Sequence, residues 1–139
     1  MYLLDTDTLT LVHAGHLRVL ERRQTVPDNE IAIAIVTRIE VLQGRFDFVL
    51  KAADGNQLLH AQTLLNRTEE RLQMIATFPF DASAAAEFDR LRQERKLKKI
   101  GRADLLIASI ALANRATLVT RNLRHFRLVP DLQLENWAD

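Results

Sequence analysis

Three acidic residues stand where their carboxylates could converge. Asp5 directly follows a short apolar run, Tyr2 to Leu4, that reads as a strand, and Glu40 lies four residues past a β-branched, alanine-rich run from Ile31 to Val36. Asp104 opens a segment that is apolar nearly all round from Leu105 to Ala113. In open parallel α/β sheets, ligands gather outside the carboxyl ends of the strands. Asn122 follows Leu118-Val-Thr120 at another such end, so four oxygen-bearing side chains can share one edge. Carboxylates brought together raise one another's pKa unless a hard cation neutralises them. Mg2+ or Mn2+ would do so, would lower the pKa of a bound water, and would stabilise charge developing on a phosphodiester during in-line attack. Hydrolysis of a nucleic-acid backbone is the chemistry this set could perform.

Each residue also has a purely structural explanation. Thr37-Arg-Ile-Glu40 fits a capping box, in which Glu40 reaches back to a helix N-terminus. Asp104 in a first helical turn complements the helix dipole. Asp5 could cap the segment that follows it, and Asn122 fits a turn. Asp81, before Ala82-Ser-Ala-Ala, is fully explained as a cap and is left out of the site.

The elements that must position these groups alternate between short β-type runs and longer helical ones, which predicts an α/β domain with a mainly parallel sheet. Strands are expected at Tyr2 to Leu4, Ile31 to Val36, Leu118 to Val119 and Leu132 to Leu134, with a weaker one around Ile75 to Phe80. Helices are expected over Thr8 to Arg22, Thr37 to Leu42, Leu58 to Met74, Ser83 to Lys96 and Arg102 to Asn114. The last should be the most buried. Asp28-Asn29, Gly55-Asn56 and Pro130-Asp131 read as turns, and no repeat or low-complexity linker divides residues 1–139. A single domain follows.

Composition narrows the chemistry further. With 47% hydrophobic and 27% charged residues, the chain matches a globular protein rather than a disordered or fibrous one. The absence of cysteine rules out thiolate sites, so any metal must be held by oxygen or imidazole, and it points to the cytoplasm. No stretch reaches the roughly 18 apolar residues of a membrane span. A net charge of +1 does not announce a nucleic-acid binder, so such a role must rest on local clusters.

Read together and in order, these segments resemble the PIN-domain toxins of the VapC type. Tyr2-Leu-Leu-Asp-Thr-Asp-Thr-Leu9 is similar to that family's opening strand and first acid, and Thr37-Arg-Ile-Glu-Val-Leu-Gln-Gly44 to the segment with its second. Ile100-Gly-Arg-Ala-Asp-Leu-Leu-Ile-Ala108 resembles the helix with the third acid. Leu118-Val-Thr-Arg-Asn-Leu-Arg-His-Phe126 and Leu134-Glu-Asn-Trp137 resemble its closing stretch. The resemblance implies a three-layer fold with a mainly parallel sheet flanked by helices, and RNA cleavage assisted by Mg2+ or Mn2+. It also implies a homodimer and inhibition by a cognate antitoxin, with which the toxin can form a hetero-oligomer. Asp5, Glu40 and Asp104 would be the catalytic, metal-site acids, with Thr120 and Asn122 at the edge of the site. This chain departs from the pattern in two places. It has Asp7 where the family usually has Asn, and Asn122 where many members carry a fourth acid. Asp7 either compensates for that lost charge or caps the first helix.

Basic residues concentrate in two groups. Arg90, Arg92, Arg95, Lys96, Lys98, Lys99 and Arg102 precede Asp104 but are interleaved with Glu87, Asp89 and Glu94, as on an ordinary solvated helix. Arg121, Arg124, His125 and Arg127 adjoin Asn122 and are the better placed to meet a phosphate backbone. Leu9, Leu11, Val12 and Phe46 to Leu50 could form a groove for an antitoxin segment. Phe46, Phe48 and Trp137 have core packing or antitoxin contact as their default role. Two rival functions remain. One is a PIN-like module that binds RNA or protein without cutting. The other is a phosphatase of the haloacid-dehalogenase type, since Leu4-Asp-Thr-Asp-Thr-Leu9 carries the paired acids of an Asp-x-Asp-x-Thr loop, though Leu9 stands at its last position and no downstream Asp-Asp pair accompanies it.

Overall fold

The computed structural model describes all residues from Met1 to Asp139. Five strands, β1 (Tyr2–Leu4), β2 (Ile31–Ala34), β3 (Ala76–Phe78), β4 (Thr117–Val119) and β5 (Leu134–Glu135), form one sheet in the order β3-β2-β1-β4-β5, every pair parallel. Seven helices cover it: α1 (Thr6–Ala14), α2 (Leu17–Gln24), α3 (Ile35–Leu50), α4 (Gly55–Gln73), α5 (Ala82–Arg92), α6 (Arg102–Ala113) and α7 (Leu123–Phe126). This is the expected α/β architecture with its parallel sheet between helical layers.

Side chains alternate across a pleated strand, and both faces are apolar here because both are covered. Leu3, Ala32, Ala34 and Leu118 face one core with Leu91, Ile107, Ile110 and Phe126. Leu4, Ile31, Ile33 and Val119 face the other with Leu9, Val19, Leu72 and Trp137. As expected, α6 is the most buried helix; six of its residues are inaccessible.

Several boundaries differ from the sequence reading. The single helix expected over Thr8 to Arg22 is two, broken at Gly15, whose φ of 79° is left-handed and whose N–H reaches the carbonyls of Leu11 and Val12. A left-handed residue at this position closes the free carbonyls of a helix end. Ala substituted there would meet no atom within 4 Å, so the cost is purely conformational. Gly15→Ala should lower stability by about 1 kcal/mol, read as a fall in the thermal midpoint. An unchanged midpoint would show that the α1–α2 corner has another conformation.

The second strand stops at Ala34, and the helix after it runs from Ile35 to Leu50 rather than Thr37 to Leu42. Thr37 is therefore inside α3 and makes no capping box. Gly55 and Asn56, read as a turn, are the first residues of α4, whose cap is Asp54 accepting from Gln57 N–H at 2.8 Å. The helix expected to reach Lys96 ends at Arg92, with a separate 3-10 turn at Arg95–Leu97. The last strand is Leu134–Glu135, shifted from Leu132 to Leu134. It is tied in by Arg22, which bonds Glu135 at 2.9 Å and lies over the Tyr2 and Trp137 rings. No helix is long and apolar enough to cross a membrane.

Candidate active site

Strand order decides where a ligand can sit. From β1 the chain moves outward through β2 and β3, then crosses back to place β4 on the other side of β1. The connections on the two sides diverge there, at the carboxyl ends of β1 and β4, the place at which open α/β sheets bind their ligands. Asp5 follows β1 and Thr120 follows β4. Asp5 N–H donates to Val119 O across the gap at 3.0 Å.

Asp5 is 6% exposed, and its Oδ1 caps α1 by accepting from Thr8 N–H at 2.8 Å. Burial nevertheless pushes its pKa above 3.8, outweighing the lowering by Thr120 and Thr8, with the charge of Asp7 adding to the rise. Thr8, itself buried, donates its hydroxyl to Val119 O at 3.1 Å and so pins α1 to the end of β4. Asp5 thus caps α1 while standing at the carboxyl end of β1, so the capping reading does not compete with a role in a site there.

Asp104 sits in the first turn of α6, whose N-cap Gly101 offers no side chain. It is half-buried, and its pKa is raised first by burial and then by Asp5, with smaller contributions from Glu40 and Asp7; His125 opposes them. Asp5, Asp7 and Glu40 therefore all act on Asp104, which no local pattern requires. Glu40, exposed on α3, accepts from the Thr6 hydroxyl at 2.6 Å; Thr6 also contacts the buried Thr37 hydroxyl at 3.1 Å. Asp7 is exposed in the first turn of α1, while the cap itself is Asp5.

Asn122 begins α7 without capping it. Its N–H donates to the Thr120 hydroxyl at 2.9 Å, and its amide nitrogen lies 2.9 Å from His125 Nδ1. His125 is thereby attached to the rim rather than free in solvent. Arg102 and Arg124 are exposed, and Arg121 is exposed with a 3.6 Å ion pair to Asp139. In the other basic group, Arg90 is paired with Glu87 at 2.6 Å and Arg92 stacks on Phe88. Trp137 is 4% exposed and packs on Tyr2, so it is a core residue. Asp81 caps α5 by accepting from Ala84 N–H at 2.9 Å, as its sequence context indicates.

Sequence reasoning passed over the contacts of Thr6 and Thr8, and that of Thr37 with Thr6. The available clue was the Asp5-x-x-Thr8 spacing of an N-cap, which fixes Asp5 and Thr8 together. The Thr6 to Glu40 bond joins residues 34 apart and has no local signature.

As the side chains stand, no three of the His, Asp and Glu residues form a closed ligand set. The donors are nonetheless of the right kind for a hard divalent cation: acids that are partly desolvated and repel one another, with hydroxyl and amide oxygens around them. Asp5 and Asp104 are the two that could hold it, with Glu40 nearest the rim.

A family model for the PIN domain matches residues 2–132. Ribonuclease VapC2 of Rickettsia felis is 38% identical over 99% of this chain and 98% of its own length. Among solved structures, VapBC2 from Rickettsia felis bound to a promoter DNA fragment superposes with a TM-score of 0.78 at 30% identity, covering 98% of each chain. FitAB bound to an IR36 DNA fragment does so with a TM-score of 0.82 at 25% identity, covering all of this chain and 96% of the other. With the family model spanning nearly the whole chain and the relative aligned end to end, this chain belongs to the PIN-domain family, among its members of the VapC type.

Proposed function

We propose that this protein is an endoribonuclease that uses Mg2+ or Mn2+ and serves as the toxin of a toxin–antitoxin pair. The observation that carries the reading is the pair Asp5 and Asp104. Both are partly desolvated, Asp5 raises the pKa of Asp104, and Asp5 stands at the switch point of the sheet in a chain whose relative is named a ribonuclease. A divalent cation there would supply charge neutralisation on the phosphodiester and a more acidic water. The protein's own part is positional. Asp5 is fixed at the start of α1 by Thr8, Asp104 stands in the first turn of a buried helix, and Thr6 holds the Glu40 carboxylate. Arg102, Arg121, Arg124 and His125 surround the opening with groups suited to RNA phosphates.

Antitoxin-free protein incubated with total cellular RNA should give discrete cuts, mapped as new 5′ ends, with Mg2+ or Mn2+ and none with chelator. No cutting by folded, cation-loaded protein would favour a module that binds RNA without cleaving it. Thr6→Val should lower the cleavage rate about 10- to 100-fold, as loss of a group orienting a site carboxylate does, without unfolding the chain. A wild-type rate would show that Glu40 is not held in place by Thr6.

The antitoxin surface is best placed where apolar side chains are left uncovered. Phe46, Phe48 and Leu50 on α3 and Leu58 and Leu59 on α4 are all exposed, apolar side chains of the kind that meet the apolar face of a partner helix. Leu9, expected in that groove, is instead 1% exposed in the core because it faces the sheet.

A further inference from the structure

A second charged site lies on the seam between α1, α3 and α4. Arg45, Arg67 and Arg71 converge there on a cavity of about 210 Å³, which His13, Thr10 and Thr68 also line, and no carboxylate lines it. The ion pairs of the fold join Arg22 to Glu135, Arg23 to Asp28, Arg90 to Glu87 and Arg121 to Asp139, so none of the three converging arginines is neutralised. Two of them are held in place. Arg45 Nε donates to the hydroxyl of Thr68, which is 3% exposed, at 3.1 Å, and Arg71 donates to His13 O at 3.2 Å. His13 is held below its ordinary pKa of 6.5 by burial and then by Arg71 and Arg45, as expected where positive charge gathers without an acid to offset it.

The cavity and the Thr6–Glu40 pair lie on the same two helices, α1 and α3. Thr10 is one turn, about 6 Å, beyond Thr6 on α1, and Val41, which also lines the cavity, follows Glu40 on α3. The Thr6 to Glu40 hydrogen bond ties together the two helices, α1 and α3, that also supply Thr10 and Arg45 to the cavity. Uncompensated guanidinium groups around a polar cavity suit a phosphate, which accepts forked hydrogen bonds from several donors at once. A water occupies about 30 Å³, so the cavity has room for a phosphate with part of its hydration.

We propose that Arg45, Arg67 and Arg71 form a phosphate subsite that grips the RNA strand beside the phosphodiester that is cut. This rests on the nuclease reading for the identity of the strand. The subsite offsets the repulsion that the acids exert on a polyanion and sets the direction in which the strand leaves the site.

The test uses the full chain with Asp104→Asn, so that binding is read without cleavage, and fluorescently labelled single-stranded RNA titrated across a series of salt concentrations. Arg45→Gln with Arg67→Gln should weaken binding roughly tenfold and lower the log–log salt slope by about 1.4, which is 0.7 for each lost phosphate contact on a single strand. Arg45→Lys with Arg67→Lys should keep the slope. Because Arg45 bonds Thr68, Arg67→Gln alone, at an exposed position, serves as the variant that cannot fail by misfolding, and its slope should fall by about 0.7. Gln variants with the parent affinity and slope would overturn the subsite. So would a loss confined to an acidic polyglutamate peptide, which would assign the arginines to a protein partner. Cleavage by the otherwise wild-type chain is scored separately. If it cuts RNA with an unchanged KM when the Gln pair is present, only the subsite fails. If RNA binds through these arginines but is never cut, the subsite stands and the nuclease reading fails.

Discussion

Asp104→Asn and Asp5→Asn should each reduce RNA cleavage by about 10²- to 10³-fold, the usual cost of removing one group that stabilises charge developing in a transition state. Asn is the informative replacement at both positions. At residue 5 its amide oxygen can still accept from Thr8 N–H, and Asn caps helices about as well as Asp, so α1 keeps its start and only the charge is lost. At residue 104 the carboxylate is half-buried and raised in pKa by burial and by Asp5. Its neutral replacement relieves that strain, and the cation-free variant should melt a few degrees higher than wild type, on the order of 1 kcal/mol or less. A dead enzyme with an unchanged or raised melting point is therefore the expected signature. A variant that cuts at the wild-type rate, or one that is inactive because it has unfolded, would remove Asp5 or Asp104 from the proposed role.

Divalent cation should raise the thermal midpoint of the wild-type chain at neutral pH and leave the two Asn variants nearly unmoved. A ligand at a hundred times its Kd adds about 2.7 kcal/mol to the folded state, which for a chain of this size corresponds to roughly 10 °C. Acidity supplies the second axis. Asp5 and Asp104 both have folded pKa values above the ordinary 3.8, so their charged forms are disfavoured by folding. Above the raised values the cation-free fold bears the full cost, and that cost disappears as the pH falls through them toward 3.8. The same protonation removes the ligands. The cation-induced rise in midpoint, and cleavage with it, should fade on acidification at a higher pH than ordinary carboxylates would dictate. An equal thermal shift in wild type and Asn variants would place the cation elsewhere on the chain. Undiminished cleavage in chelator would end the metal-dependent reading altogether.

Taken alone, the sequence was most informative where physical causes are local. The apolar run Tyr2 to Leu4 followed by an acid, the cap at Asp81 and the all-round apolar helix after Arg102 are each set by residues within a turn or two, and the structure places all three as expected. Alternation of short apolar runs with helical segments was enough for the parallel α/β class, and the ordered set of motifs for the family. Tertiary structure decided the rest because the causes are distant in sequence. A helical pattern over Thr8 to Arg22 tolerates a glycine, and only the left-handed turn at Gly15, which lets α2 fold back onto the core through Val19, breaks it. Thr37-x-x-Glu40 satisfies a capping rule on paper, yet α3 begins two residues earlier and hands both side chains to Thr6. The crossing of the chain from β3 to β4 brings Thr120 beside Asp5, and the packing of α1, α3 and α4 gathers Arg45, Arg67 and Arg71 around His13. Short-range rules fix which residue types can serve at a strand end or a helix start, but which of them meet depends on strand order and helix packing, and those are settled by burial summed over the whole chain.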